Sequence, residues 1–125
     1  MERLKILVID DTRIIGTALK VVFNEEGYDT DIACSGEEAL EMARTKNYDL
    51  ALIDLVMPGL DGVETCSNLK TLQPNIQCLL MTGHIDDQLQ QKELDFIKAG
   101  GKVRNLYKPF SGEEVLKVIS KILPQ

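Results

Sequence analysis

A chain of 125 residues, 44% hydrophobic and 27% charged, has the size and balance of one globular domain able to bury a core. No run approaches the length of a membrane span, and a net charge of −6 without a basic tract argues against direct nucleic-acid binding. Cys34, Cys66 and Cys78 are odd in number and lack C-x-x-C spacing, which argues against a disulfide framework or a zinc site and for a reducing compartment. The opening Met-Glu-Arg-Leu-Lys lacks the apolar stretch of a secretory signal, so a cytoplasmic location is expected.

Lys5 to Ile9 is short, apolar and β-branched, the pattern of a central strand, and it closes on Asp10-Asp11-Thr12. Thr12 is the expected N-cap of a helix whose apolar positions Ile14, Ile15, Ala18, Leu19, Val22 and Phe23 form one wide buried face, with Gly27 as its C′ residue. Asp29 to Ala33 interleaves polar residues, as an edge strand does. Ser35 and Glu38 have capping-box spacing and open a second helix with Ala39, Leu40 and Ala43 inward. Leu50 to Ile53 reads as a buried strand, and Pro58, Gly59 and Gly62 break the structure after it. A third helix is predicted from near Gly62 to before Pro74.

Gln77 to Met81 gives a fourth strand, ending at Thr82-Gly83-His84. From Asp86 to Ala99 the pattern is helical but poorly amphipathic, a marginal helix that Gly100-Gly101 stops. Val103 to Tyr107 is the fifth strand, ended by Lys108-Pro109-Phe110. Ser111 and Glu114 repeat the capping-box spacing ahead of a helix that buries Val115, Leu116, Ile119 and Ile122. Five strands alternating with five helices imply an α/β fold with a doubly wound parallel sheet covered on both faces.

The polar residues at strand carboxyl ends are Asp10 and Asp11, Asp54, Thr82 and Lys108, and all lie on one edge of such a sheet. If strand order reverses between the first and third strands, the acid pair and Asp54 face each other across the switch-point crevice. Three carboxylates so close need a cation or a proton held by a raised pKa. A hard divalent ion suits them, and the hydroxyl of Thr82 and the ammonium of Lys108 would complete a place for a phosphoryl group. Asp54 would then be the nucleophile. Each residue also has a plain structural role open to it. Asp54 can start a turn, Asp10-Asp11-Thr12 can cap a helix, Lys108 can be a solvated strand end, and Asp61 can begin a helix.

Asp10-Asp11, Asp54 within Asp-Leu-Val-Met-Pro-Gly-Leu-Asp-Gly, Thr82, and Lys108-Pro109-Phe110 together resemble the response-regulator receiver domain of two-component signalling, in order and across essentially the whole chain. The resemblance implies a single receiver domain over 1–125, flavodoxin-like, with strand order 2-1-3-4-5. It implies that Asp54 accepts a phosphoryl group from a histidine kinase or histidine phosphotransfer protein. It implies Mg²⁺ (or Mn²⁺) held by Asp11 directly, Asp10 through water, Asp54, and the carbonyl of Val56. Thr82 and Lys108 would grip the phosphoryl oxygens. The surface of the fourth helix, fifth strand and fifth helix would then change toward a downstream target or a fused output domain, with no membrane and no nucleic acid contacted directly. On this reading the chain catalyses only its own phosphorylation and dephosphorylation.

Three features depart from the family pattern. Asn105 stands where receivers usually carry the switch aromatic, and Tyr107, two residues on, is expected on the same side by strand alternation. The interval from Thr82 to Lys108 is long, which places extra residues in the fourth helix or its leading loop. Val56 and His84 each lie two residues past a site residue and are expected to tune water access, although an exposed loop is the simpler setting for His84. Asn105 keeps open a receiver-like scaffold that signals without phosphate. A small-molecule phosphatase is disfavoured because Asp10-Asp11-Thr12 is not the D-x-D of haloacid-dehalogenase enzymes. A flavodoxin-like cofactor module is disfavoured because no phosphate loop follows the first strand.

Overall fold

The computed structural model describes residues 2–124. Its elements run β1 (Lys5–Ile9), α1 (Arg13–Glu25), β2 (Asp29–Ala33), α2 (Gly36–Ala43), β3 (Leu50–Asp54), α3 (Gly62–Leu72), β4 (Gln77–Thr82), α4 (Leu89–Lys98), β5 (Lys102–Tyr107) and α5 (Gly112–Ile122). The strands form one sheet in the order β2-β1-β3-β4-β5, with every pairing parallel. This is the predicted doubly wound architecture.

Side-chain alternation explains the two cores. Ile6, Val8, Leu50, Leu52, Leu79 and Met81 point to one face and pack with Leu19, Phe23, Val115 and Ile119 of α1 and α5. Leu7, Ile9, Ala51, Ile53, Cys78 and Leu80 point to the other and meet Ala39, Cys66, Leu69 and Phe96 of α2, α3 and α4. Because β1, β3 and β4 are buried on both faces, their sequences read as unbroken apolar runs.

Helix ends follow their capping chemistry, with two differences from expectation. Ser111 and Glu114 form the full reciprocal box at α5, and Asp61 with Glu64 forms a second at α3. At α2 only half the box closes. Ser35 accepts from the Glu38 N–H, but the Glu38 carboxylate takes the N–H of Cys34 at 2.7 Å. At α1 Thr12 occupies the N-cap position, yet its side chain caps nothing, and its own N–H donates to Asp10 Oδ1 at 2.8 Å.

The fourth helix is shorter than predicted, beginning at Leu89. Gln88 gives its end no side-chain cap, and Leu94 and Ile97 are exposed. Part of the long Thr82–Lys108 interval sits instead in β5. Leu79 pairs with Lys102 and Met81 with Leu106, so the strand carries a bulge. At the C-terminal end of α3, Gln73 ties the loop before β3 in place. Its amide nitrogen donates to the carbonyls of Ala43 and Lys46, both at 2.8 Å, and its oxygen accepts from the Tyr48 N–H at 3.0 Å.

Candidate functional site

The strand order reverses between β1 and β3, which brings the chain's acidic strand ends together. One oxygen from each of Asp10, Asp11 and Asp54 lies within 4.8 Å of the others. Asp10 is fully buried, Asp54 nearly so, and Asp11 exposed. Above them opens a cleft of about 650 Å³ lined by Asp11, Thr12, Asp54, Val56, Met57, Pro58, Gly83, His84 and Lys108.

Close backbone packing shapes its wall. The N–H of Gly62 donates to the carbonyl of Leu55 at 2.9 Å, and a Cβ at residue 62 would fall 2.6 Å from the Asp54 carbonyl oxygen. Only glycine lets α3 approach the end of β3 so closely. Glu37 of α2 helps fasten the loop from outside by accepting the Leu60 N–H at 3.3 Å.

Lys108 bridges the acids, 2.6 Å from Asp10 and 3.3 Å from Asp54, with its side chain largely buried. It follows β5 directly, its N–H bonded to the Thr82 carbonyl at 2.8 Å, and its peptide bond to Pro109 is cis. Burial pushes the Asp54 carboxyl up to about 6; Lys108 pulls it down, while Asp10 and Asp11 push it up. The cluster is therefore balanced by one ammonium and a carboxyl that holds its proton unusually well. An ammonium seated between carboxylates marks a place built for positive charge, and all-oxygen donors at this spacing suit a hard divalent cation.

Thr82 is buried and does not line the cleft. Its hydroxyl accepts from the His84 N–H at 3.0 Å. His84 is exposed where it lines the cleft, as its simpler reading has it, and half-buried Val56 lines the cleft too. Asp61 is a helix cap, as expected, and stands apart from the three acids. Asn105 is exposed, and its side chain meets that of Tyr107 at 3.2 Å. The Tyr107 hydroxyl also donates to Glu93 of α4 at 3.0 Å. Burial, and then the Glu93 carboxylate, raise the Tyr107 pKa.

Three participants escaped sequence reasoning. The contact of Lys108 with Asp10 spans 98 positions in the chain. Glu93 carries no local mark of its role. The third is an apolar groove of about 440 Å³ beside the cleft, between Ile14, Ile15, Ala18 and Leu19 of α1 and Lys108-Pro109-Phe110. Ile14, placed by its spacing on the buried face of α1, is instead 80% exposed, because α1 turns Gly16, Leu19 and Phe23 inward.

Fold and cleft together define a class of α/β domain that gathers carboxylates and a lysine at the topological switch point of its sheet. The response regulator receiver domain family matches residues 6–120. Sporulation initiation phosphotransferase F of Bacillus subtilis (strain 168) is 37% identical over 122 residues, which is 96% of this chain and 94% of that protein. The alkaline phosphatase synthesis transcriptional regulatory protein PhoP of the same strain is 35% identical over 119 residues, 95% of this chain but 48% of that regulator, so the chain spans about half its length. A chain of the CheX-CheY-BeF3-Mg²⁺ complex of Borrelia burgdorferi superposes with a TM-score of 0.85 at 25% identity, over 98% of this chain and 90% of that one.

The chain belongs to the response regulator receiver domain family. Such domains are phosphorylation-activated signalling switches of two-component systems rather than classical enzymes. They bind Mg²⁺ at an acidic pocket and act with histidine kinases or phosphotransfer proteins and with output domains.

Proposed function

We propose that residues 1–125 form a single receiver domain in which Asp54 accepts a phosphoryl group from a phosphohistidine. The observation that carries this is the convergence of Asp10, Asp11 and Asp54 around Lys108 in a cleft open to solvent. An Asp54 oxygen attacks phosphorus, and the phosphohistidine nitrogen leaves with the bonding pair. Mg²⁺, or Mn²⁺, would be held by Asp11, Asp54 and the Val56 carbonyl, with Asp10 acting through water. It would supply charge neutralisation at the phosphoryl oxygens.

Lys108 then exchanges its pairing with Asp54 for a phosphoryl oxygen, and Thr82 turns its hydroxyl from the His84 N–H toward another. Val56 shields the acyl phosphate from water, and His84 at the rim sets the remaining access. The protein catalyses no reaction but the gain and loss of its own phosphoryl group. The apolar groove with exposed Ile14 gives the donor protein a seat beside Lys108. A cytoplasmic setting suits the three free cysteines.

Incubation with Mg²⁺ and acetyl phosphate, followed by intact mass measurement, tests the reading. Wild type gains one hydroxylamine-labile phosphoryl group and Asp54→Asn gains none. Rapid turnover of many donor equivalents, or equal labelling of the variant, would refute it.

A further inference from the structure

Between matched positions, β5 carries two more residues than β4, since Leu79 pairs with Lys102 and Met81 with Leu106. At the end of this surplus stands Asn105, whose φ of 57° lies in the left-handed region that Asn tolerates better than most residues. There the Asn105 amide lies 3.2 Å from the Tyr107 hydroxyl, and that hydroxyl reaches Glu93 Oε2 of α4 at 3.0 Å. A hydroxyl has one proton, and the carboxylate is the stronger acceptor, so the donated bond goes to Glu93. Asn105 Oδ1 is a second acceptor for the same proton and competes with Glu93 for it.

This contact adds to the seating of α4, which rests otherwise on few buried residues. The helix buries only Leu89 and Phe96, leaves Leu94 and Ile97 in solvent, and starts without a side-chain cap. Tyr107 is also the ladder partner of Thr82, and the next residue is Lys108. Thr82 itself is joined to α4 a second way, since its hydroxyl holds the His84 N–H at the start of the loop leading to that helix.

We propose that Glu93 and Tyr107 form a latch that holds α4 in its resting position and that opens when Thr82 and Lys108 close on a phosphoryl group at Asp54. The proposal rests on the phosphoacceptor reading above. In the resting arrangement Thr82 faces His84 and Tyr107 faces Glu93. When Thr82 turns into the cleft it releases the His84 amide and draws on the Tyr107 strand, and the bond to α4 is lost. A bond made only in the resting state lowers the competent fraction and weakens apparent affinity for the phosphoryl group by the same factor. Tyr107 is thus a positioning residue that takes up, by a different contact, the coupling absent at Asn105.

Binding of BeF3⁻ with Mg²⁺, read by calorimetry and by fluorine NMR, tests the latch. Tyr107→Phe keeps the ring and removes the hydroxyl, and it should bind about fivefold tighter than wild type. Glu93→Gln, a neutral acceptor, should fall between the two. Asn105→Gly keeps the backbone conformation, removes the competing acceptor, and should weaken binding about twofold. Hydrogen exchange over residues 89–98 should be faster in unliganded Tyr107→Phe at an unchanged urea midpoint for the rest of the protein. Unchanged or weaker BeF3⁻ binding by Tyr107→Phe, with wild type binding normally, overturns the latch alone. Failure of wild type to bind BeF3⁻ with Mg²⁺ overturns the phosphoacceptor reading and the latch with it.

Discussion

Replacing Asp54 with Asn should stabilise the metal-free protein at neutral and alkaline pH and do little in acid. The carboxyl is 5% exposed, and burial is the main reason it titrates near 6 instead of 3.8. A shift of about two units, at about 1.4 kcal/mol per unit, corresponds to about 3 kcal/mol. Because the folded-state pKa is raised, the folded protein holds this proton more tightly than the unfolded chain. The associated stability is complete below 3.8 and is lost as pH rises through about 6.

Asn is neutral at every pH and keeps that stability, while Lys108 retains Asp10 as a partner at 2.6 Å. Urea unfolding of both proteins without divalent ions should show near equality at about pH 4 and an advantage of about 2–3 kcal/mol for the variant at about pH 8. Millimolar Mg²⁺ should close the gap by binding the folded wild type more tightly. Equal or lower stability of Asp54→Asn at alkaline pH would refute the reasoning.

Ile14→Asp should slow phosphoryl transfer from a phosphohistidine protein by about tenfold or more while leaving labelling by acetyl phosphate unchanged, as comparative rate measurements would show. Thr30→Val should raise stability by about 1 kcal/mol and the thermal midpoint by about 3–5 °C, because the buried Thr30 hydroxyl has no hydrogen-bond partner among the described residues. Gln73→Glu, although nearly isosteric, should cost about 2–3 kcal/mol in urea unfolding, since a carboxylate cannot donate to the carbonyls of Ala43 and Lys46.

What could be read from the sequence follows from where the determining forces lie. Strands β1, β3 and β4 are buried on both faces, so their residues alone mark them, and the acids that end them fall on the sheet edge where chemistry collects. Caps at Asp61 and Ser111 act over three residues and are equally local. The β5 bulge is different. Val103, Arg104 and Asn105 fit a regular strand by composition, and only pairing with β4 shows two residues too many.

Lys108 could be placed at the site but not on Asp10, because that bond depends on where two distant strands end. Thr82 is expected to meet the phosphoryl group once Asp54 is modified; in the unmodified chain its hydroxyl holds the His84 N–H, a partner that spacing does not reveal. Glu93 and Tyr107 meet only because α4 packs on β5, and no pattern within either segment encodes that.

The central claim is that a carboxylate at one position takes the phosphoryl group. Borohydride reduction of the acetyl phosphate-labelled wild type, followed by peptide sequencing in a mass spectrometer, reads that position directly. Reduction of an acyl phosphate leaves homoserine, which is expected at position 54 and nowhere else. Homoserine at position 10 or 11, or a label that survives borohydride on a histidine or serine, would contradict the account.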